Sequence, residues 1–246
     1  MTIHQGSYAK KLNNVEAQLI FTSPPYNIGS KQPRQDGKRK LGKFDPKSYG
    51  GITGYPDSLP EDEYQASQRE FLIWAADHLT SNGVLVYNHK PRRRDKQMIH
   101  PAQWFLHPDV KARLTLMDEV VWDRGSTHNH CLQLMWPQTE RLYVFRRADG
   151  QWSFKSTADM PQRSDVWHIP LSSRQATLFD HAAPFAEQLA AAVIKAWSKP
   201  GDLVCDPYSG SGTTGAVALA LGRQFVGAEQ NPDYHRAAVR RLEAVS

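Results

Sequence analysis

The sequence predicts an α/β fold in which a mostly parallel central sheet is covered by helices on both faces. Short runs rich in β-branched and aromatic residues recur at Gln18–Thr22, Val84–Tyr87, Glu119–Trp122, Arg141–Phe145, Asp202–Cys205 and Gln224–Ala228, and end in turn residues. Between them lie helical stripes, one of Leu72, Ala75, Ala76 and Leu79, another of Phe185, Leu189, Ala192, Val193 and Trp197. Strands that alternate with helices pair in parallel, and runs apolar on both sides belong to a sheet buried on both faces. A length of 246 residues, 40% hydrophobic and 22% charged, suits a single domain over 1–246.

Helix and loop signals follow in chain order. Residues 30–60 are rich in Pro, Gly and Lys without an apolar period, which predicts a mobile basic loop. The stretch 123–180 is partly irregular around its Arg141–Phe145 strand and offers insertions for target recognition. Small residues over Thr214–Leu221 predict a helix after a glycine turn. Asn231-Pro232-Asp233 is a start signal, Asn as cap and Pro at the first helical position, for a last helix over about 232–244.

The N-terminus has no apolar signal region, and no window has the roughly eighteen apolar residues of a bilayer span, so no membrane partner and a cytoplasmic setting are expected. Cys131 and Cys205 lie too far apart for a disulfide framework or zinc knuckle. His128, Asn129 and His130 beside Cys131 have no second ligand cluster, so no metal is expected. Trp104, Trp136, Trp152 and Trp167 are expected to pack in the core or loops.

Charge is concentrated. Residues 31–47 carry seven bases, Lys31, Arg34, Lys38, Arg39, Lys40, Lys43 and Lys47, against two acids. Lys90, Arg92, Arg93, Arg94 and Lys96 face only Asp95. Clusters of this kind point to a polyanion surface, since phosphate neutralisation drives sequence-independent nucleic-acid binding; solvated loops are the plainer alternative.

The first motif is the strand Leu19-Ile20-Phe21-Thr22 running into Ser23-Pro24-Pro25-Tyr26-Asn27. Two prolines fix φ and remove backbone donors, so a stiff turn leaves the sheet's carboxyl edge, where open α/β sheets bind ligands. A hydroxyl, a carbonyl and an aromatic ring side by side suit an exocyclic amine on a planar base. Such a nitrogen shares its lone pair with the ring. Hydrogen bonds from it to Ser23 and the Pro24 carbonyl draw it toward tetrahedral geometry and free the pair, while Tyr26 stacks on the base.

The second motif is Asp206-Pro207-Tyr208-Ser209-Gly210-Ser211-Gly212-Thr213-Thr214 after an apolar strand. Glycines allow close approach of a ligand at a helix N-terminus. The next strand ends in Glu229-Gln230-Asn231, where an acid can accept both ribose hydroxyls. A phosphate loop is disfavoured, because Thr213 stands where a lysine is needed and Asp206 attracts an ammonium or sulfonium instead.

Together these motifs resemble an S-adenosylmethionine-dependent DNA amino-methyltransferase of the β permutation group, the N4-cytosine/N6-adenine DNA methylase family. In that group a [Ser/Asp/Asn]-Pro-Pro-[Tyr/Phe] motif precedes the glycine loop, as Ser23–Tyr26 precedes Asp206–Gly212 here. Glutamine methylases with a Pro-Pro-Tyr tetrad have the opposite order. The resemblance implies a Rossmann-like methyltransferase fold with circularly permuted motif order, S-adenosylmethionine as cofactor, double-stranded DNA as partner and a bacterial or phage origin. It implies catalysis by Ser23, Pro24, Pro25 and Tyr26. Cofactor binding would fall to Asp206–Thr214, to Glu229, Gln230 and Asn231, and to His181, Pro184 and Phe185, which resemble the family's first cofactor motif with Ala182 and Ala186 departing from it. DNA contact would fall to Lys31, Arg34, Lys38, Arg39, Lys40 and Lys43 and to Arg92, Arg93 and Arg94. Ser-Pro-Pro-Tyr is more similar to the N4-cytosine group, so cytosine is the expected target and N6 of adenine the alternative. An inactive DNA-binding module of the same fold is a further alternative, and monomer and homodimer both fit.

Overall fold

The computed structural model describes residues 1–27, 59–94, 97–125, 135–151, 163–170 and 186–245. Ten strands are described: β1 Thr2–Gln5, β2 Ala17–Thr22, β3 Leu79–His89, β4 Arg92–Arg94, β5 Gln97–Ile99, β6 Leu114–Asp123, β7 Thr139–Arg147, β8 Val166–His168, β9 Leu203–Asp206 and β10 Gln224–Glu229. The described helices are α1 Tyr8–Lys11, α2 Glu61–Asp77, α3 Ala102–Phe105, α4 Pro108–Lys111, α5 Glu187–Trp197, α6 Thr213–Ala220 and α7 Pro232–Glu243.

Eight of these strands form one sheet in the order β1-β10-β9-β2-β3-β7-β6-β8. Pairing is parallel from β1 through β3 and between β6 and β8, while β7 runs antiparallel to both its neighbours. The predicted mostly parallel sheet is therefore present, with one reversed strand. That reversal puts the start of β7 at the same edge as the carboxyl ends of β2, β3 and β6, since His89 pairs with Arg141 and Trp122 with Glu140.

Alternate strand residues bury on opposite faces, because side chains alternate across a pleat. Leu19, Phe21, Val84 and Val86 pack with Leu189, Val193, Ala218 and Leu242 of α5, α6 and α7. Ile20, Leu85 and Tyr87 pack with Phe71, Leu72, Ala75, Trp104 and Val110 of α2, α3 and α4. Both faces are covered, which explains why these strands read as unbroken apolar runs.

The structure adds elements the sequence does not announce. β1 and β8 are short and sit at the two sheet edges. Leu79 ends the helical stripe by pattern but opens β3, because α2 stops at Asp77. Within the basic cluster after β3, Arg92–Arg94 forms β4, paired antiparallel with β5, instead of a loop, and Lys96 lies outside the described residues. Trp104 and Trp167 are core residues and Trp136 is exposed. The 30–60 loop up to residue 58, and Trp152, Cys131 and His128–His130, lie outside the described residues. Among the described residues no helix is long and apolar enough to cross a membrane.

Candidate active site

β2 and β9 are neighbours, with Leu19 opposite Val204 and Ile20 opposite Cys205, so both motifs leave the sheet at one edge. There the Thr22 hydroxyl donates to Asp206 Oδ1 at 2.7 Å. Remote in the chain, the Pro-Pro turn and the glycine loop thus start from a shared hydrogen bond.

Asp206 is buried, and its hydrogen-bond donors are neutral, the Thr22 hydroxyl and the Tyr208 N–H at 3.2 Å. Burial pushes its carboxyl up to about 6, against the lowering effect of the Thr22 hydroxyl and the Tyr208 N–H. A buried carboxylate with neutral donors favours an incoming cation. Glu229, at the end of the adjoining β10, is also buried. Its Oε2 accepts from Gly210 N–H at 2.8 Å and its Oε1 from Asn231 N–H at 2.7 Å, which ties the glycine loop to β10. Two carboxylates on neighbouring strand ends, with a tight glycine turn between them, fit the ammonium and ribose of an amino-acid nucleoside.

Within the loop the side chains have distinct duties. Gly212 lies at φ +78°, and a Cβ there would meet Leu242 at 2.9 Å and Ala238 at 3.0 Å, so this glycine serves the packing of α6 against α7. Ser209 donates to the Asp206 carbonyl at 2.8 Å, and Pro207 and Ser211 are buried. Thr213 accepts from Arg241 at 2.9 Å. The Tyr208 ring packs beside Tyr8 and Phe71, turned into the core. Asn231 caps α7, its Oδ1 accepting from the N–H groups of Asp233 and Tyr234. Gln230 is exposed. His181, Pro184 and Phe185 lie outside the described residues.

The Pro-Pro turn is built into a polar network. Ser23 donates to the Tyr26 hydroxyl at 2.8 Å, and Tyr26 donates to Glu140 Oε2 at 2.9 Å. Asn88, at the end of β3, donates to Tyr26 at 2.8 Å and to Glu140 Oε2 at 3.0 Å. Glu140 Oε1 meets Lys90 at 3.3 Å and Arg124 at 3.1 Å. Burial, then the Glu140 charge, raises the Tyr26 phenol well above its ordinary value, so it stays protonated. The Tyr26 ring packs against His89 at 4.5 Å between centroids, with the Lys90 ammonium 5.2 Å from its centre. Tyr64 donates to the Pro25 carbonyl at 2.8 Å, which fixes the turn from α2. Burial lowers His89 to about 3, so it is neutral at physiological pH.

Glu140, Asn88, Lys90 and Arg124 have no place in the motifs. The available signal is the position of polar residues at strand ends otherwise apolar, Asn88-His89 after Gly83–Tyr87 and Glu140 before Leu142–Phe145.

Arg92 corrects an expectation. Its side chain is buried, paired with both oxygens of Glu61 at 2.7 and 3.1 Å, and lies over the rings of Tyr64 and Trp104 at 4.5 and 5.6 Å. It is an internal anchor between α2 and β4 and is not available to a phosphate. Arg94 donates to Leu59 O and Glu61, whereas Arg93 is exposed. Lys31, Arg34, Lys38, Arg39, Lys40 and Lys43 lie outside the described residues. Cys205 is fully buried and its thiol is pushed up by that burial, so it is no nucleophile.

Comparison with known proteins bears on the family and the fold. The DNA methylase family model, for N6 and N4 methyltransferases, matches residues 17–240. The DNA adenine methyltransferase YhdJ of Escherichia coli (strain K12) is 44% identical over 281 residues, covering 100% of this chain and 83% of that protein. Among solved structures, the PvuII DNA methyltransferase (cytosine-N4-specific) superposes with a TM-score of 0.71 at 18% identity, covering 98% of this chain and 86% of that one. The M1.HpyAVI complex with S-adenosylmethionine gives 0.66 at 17% identity, covering 98% of each. These two share the fold. The chain belongs to the DNA methylase family of N6-adenine and N4-cytosine amino-methyltransferases.

Proposed function

We propose that this protein transfers a methyl group from S-adenosylmethionine to the exocyclic N6 amine of adenine in double-stranded DNA. The observation that carries the site is the Thr22–Asp206 hydrogen bond, which brings the amine-binding turn and the glycine loop to one edge. Adenine is favoured over cytosine by the relative that spans the whole chain, an adenine methyltransferase by name. The contrary expectation rested on Ser23 alone, and a serine hydroxyl accepts one hydrogen bond equally well from either amine.

S-adenosylmethionine, when bound, supplies an electrophilic methyl on a sulfonium. Asp206 would hold its ammonium and Glu229 its ribose hydroxyls. The target base must leave the duplex to reach the edge, at a cost of a few kcal/mol that phosphate contacts offset. Ser23 and the Pro24 carbonyl then accept the amine hydrogens and turn the nitrogen lone pair outward, and the nitrogen, positively charged once its new N–C bond replaces the S–C bond, sheds one of those hydrogens as a proton to solvent. Backbone contacts fall to the bases within 31–43 and to Arg93, and base reading to 123–180.

Mass spectrometry of nucleosides from a host lacking its own DNA methylases tests the proposal. N6-methyladenine is the expected product after expression of this chain. N4-methylcytosine in its place overturns the choice of base, and the absence of both, with no transfer of labelled methyl to DNA by the purified protein, overturns the activity.

A further inference from the structure

A serine hydroxyl can donate or accept, yet the proposed reaction needs Ser23 only as an acceptor of the amine hydrogen. The network around it removes the choice. Glu140 is buried, and the ammonium of Lys90 and the guanidinium of Arg124 both lie on its Oε1, at 3.3 and 3.1 Å, so that oxygen accepts from two cations. A carboxylate only accepts, so the Tyr26 hydroxyl at 2.9 Å from Oε2 must donate to it. The Tyr26 oxygen then has two lone pairs left. Asn88 Nδ2 fills one at 2.8 Å and the Ser23 O–H fills the other at 2.8 Å. The two N–H groups of Asn88 are directed at Tyr26 and at Glu140 at 3.0 Å, and the same nitrogen stands 3.5 Å from Ser23 Oγ, a longer contact in which Ser23 is again the acceptor. With its single proton committed to Tyr26, Ser23 Oγ presents lone pairs alone.

We propose that Glu140 is a positioning residue that sets the direction of the Glu140–Tyr26–Ser23 hydrogen-bond chain and so holds Ser23 as an acceptor for the target amine. This deepens the proposed methyl transfer and rests on it. Lys90 and Arg124 belong to the same device, since they hold Oε1 and leave Oε2 to Tyr26. No proton needs to travel along the chain for this role. Its effect is to fix which atom carries the hydrogen before the base arrives, and fixed dipoles of this kind act without reorganisation at the moment of reaction.

Charge and shape can be separated at position 140. Glu140→Gln keeps the shape but offers an N–H that can donate to Tyr26, which reverses the chain and points the Ser23 proton at the amine. Glu140→Asp is shorter but still only accepts. Tyr26→Phe keeps the ring and cuts the chain. Purified wild type and the three variants, with the Glu140→Gln/Tyr26→Phe double variant, are assayed for single-turnover methyl transfer to DNA and for S-adenosylmethionine affinity. The expected result is a fall in rate of about 10- to 100-fold for Glu140→Gln and Tyr26→Phe, with cofactor affinity within about twofold of wild type. Glu140→Asp should retain more rate than Glu140→Gln, and the double variant should be no slower than the worse single one. A Gln variant as fast as or faster than the Asp variant, multiplying effects in the double variant, or a matching loss of cofactor affinity overturns the inference. Should Glu140→Gln fail to fold, Tyr26→Phe at wild-type rate overturns it by itself. A wild-type protein that methylates no DNA refutes the proposed function instead, a result separate from any of these.

Discussion

The Thr22 hydroxyl donates to the Asp206 carboxylate at 2.7 Å, and these two residues stand immediately before the Pro-Pro turn and at the head of the glycine loop. The bond crosses from β2 to β9, strands 184 positions apart at this point in sequence. It makes the protonation state of Asp206 a concern of both halves of the site.

Cofactor affinity should therefore depend on pH. Burial holds the Asp206 carboxyl at about 6 in the folded protein against an ordinary value of 3.8, so it is ionised at pH 8 and mostly protonated at pH 5. Protonation would remove the attraction proposed for the cofactor ammonium. Calorimetric titration should give a dissociation constant about tenfold weaker at pH 5 than at pH 8, and Asp206→Asn should be weak and flat across that range. A wild-type profile that is flat removes Asp206 from the ammonium site.

The same shift has the opposite sign for stability. A carboxyl raised on folding binds protons more readily folded than unfolded, so its ionised form is a penalty present above about 6 and relieved as pH falls toward 3.8. Asp206→Asn should accordingly be more stable than wild type at pH 8, on the order of 3 kcal/mol, with the gap closing by pH 4. Urea unfolding at the two pH values checks this.

Glu229 separates cofactor binding from loop anchoring. Its two oxygens accept from Gly210 and Asn231, so Glu229→Ala leaves two N–H groups without these acceptors and should cost about 2–4 kcal/mol in unfolding free energy as well as weakening cofactor binding. Glu229→Gln keeps one carbonyl acceptor and should recover part of the stability. Cofactor affinity at the wild-type level in Glu229→Ala would exclude Glu229 from the ribose site.

Two of the three arginines of β4 should part company. Arg92 is sealed against Glu61, Tyr64 and Trp104, so removing it empties a buried slot lined by two aromatic rings and leaves Glu61 with only the longer Arg94 pair. Arg92→Ala should lower stability by about 3 kcal/mol. Exposed Arg93 should behave in reverse, Arg93→Ala leaving stability unchanged and reducing the salt slope of DNA binding by about one. Equal melting temperatures for the two variants would contradict this division.

Arg92 also marks where sequence legibility ends. Three adjacent arginines are indistinguishable as sequence, and what buries the first is Glu61, 31 residues earlier. The same holds for Glu140, whose partners Tyr26, Asn88, Lys90 and Arg124 come from three other parts of the chain. The elements that were legible carry their information locally. β2, β9 and β10 are apolar runs stopped by Pro, Gly or Asn, and α7 is announced by Asn231-Pro232, whose cap bonds are present at 2.8 and 3.2 Å. β1 is different: it has one apolar side chain of note, Ile3, and exists because β10 offers it a free edge, with Ile3 opposite Gly227. Both motifs were visible as strand-end signals, but the polar network that orients Ser23 depends on tertiary pairing.

Ser23→Ala is the most direct test of the Pro-Pro turn. The alanine removes the hydroxyl that would accept the amine hydrogen, while Tyr26 keeps its bonds to Asn88 and Glu140, so the turn retains its shape. Asp206 keeps the Thr22 hydroxyl, so the cofactor side is untouched. The maximal rate should drop by about 100-fold with the cofactor dissociation constant within about twofold of wild type, and the melting temperature should move by no more than about 3 °C. A parallel loss of cofactor affinity would mean that the substitution had disturbed the whole sheet edge. Wild-type turnover would mean that the Pro24 carbonyl alone suffices to bind the amine.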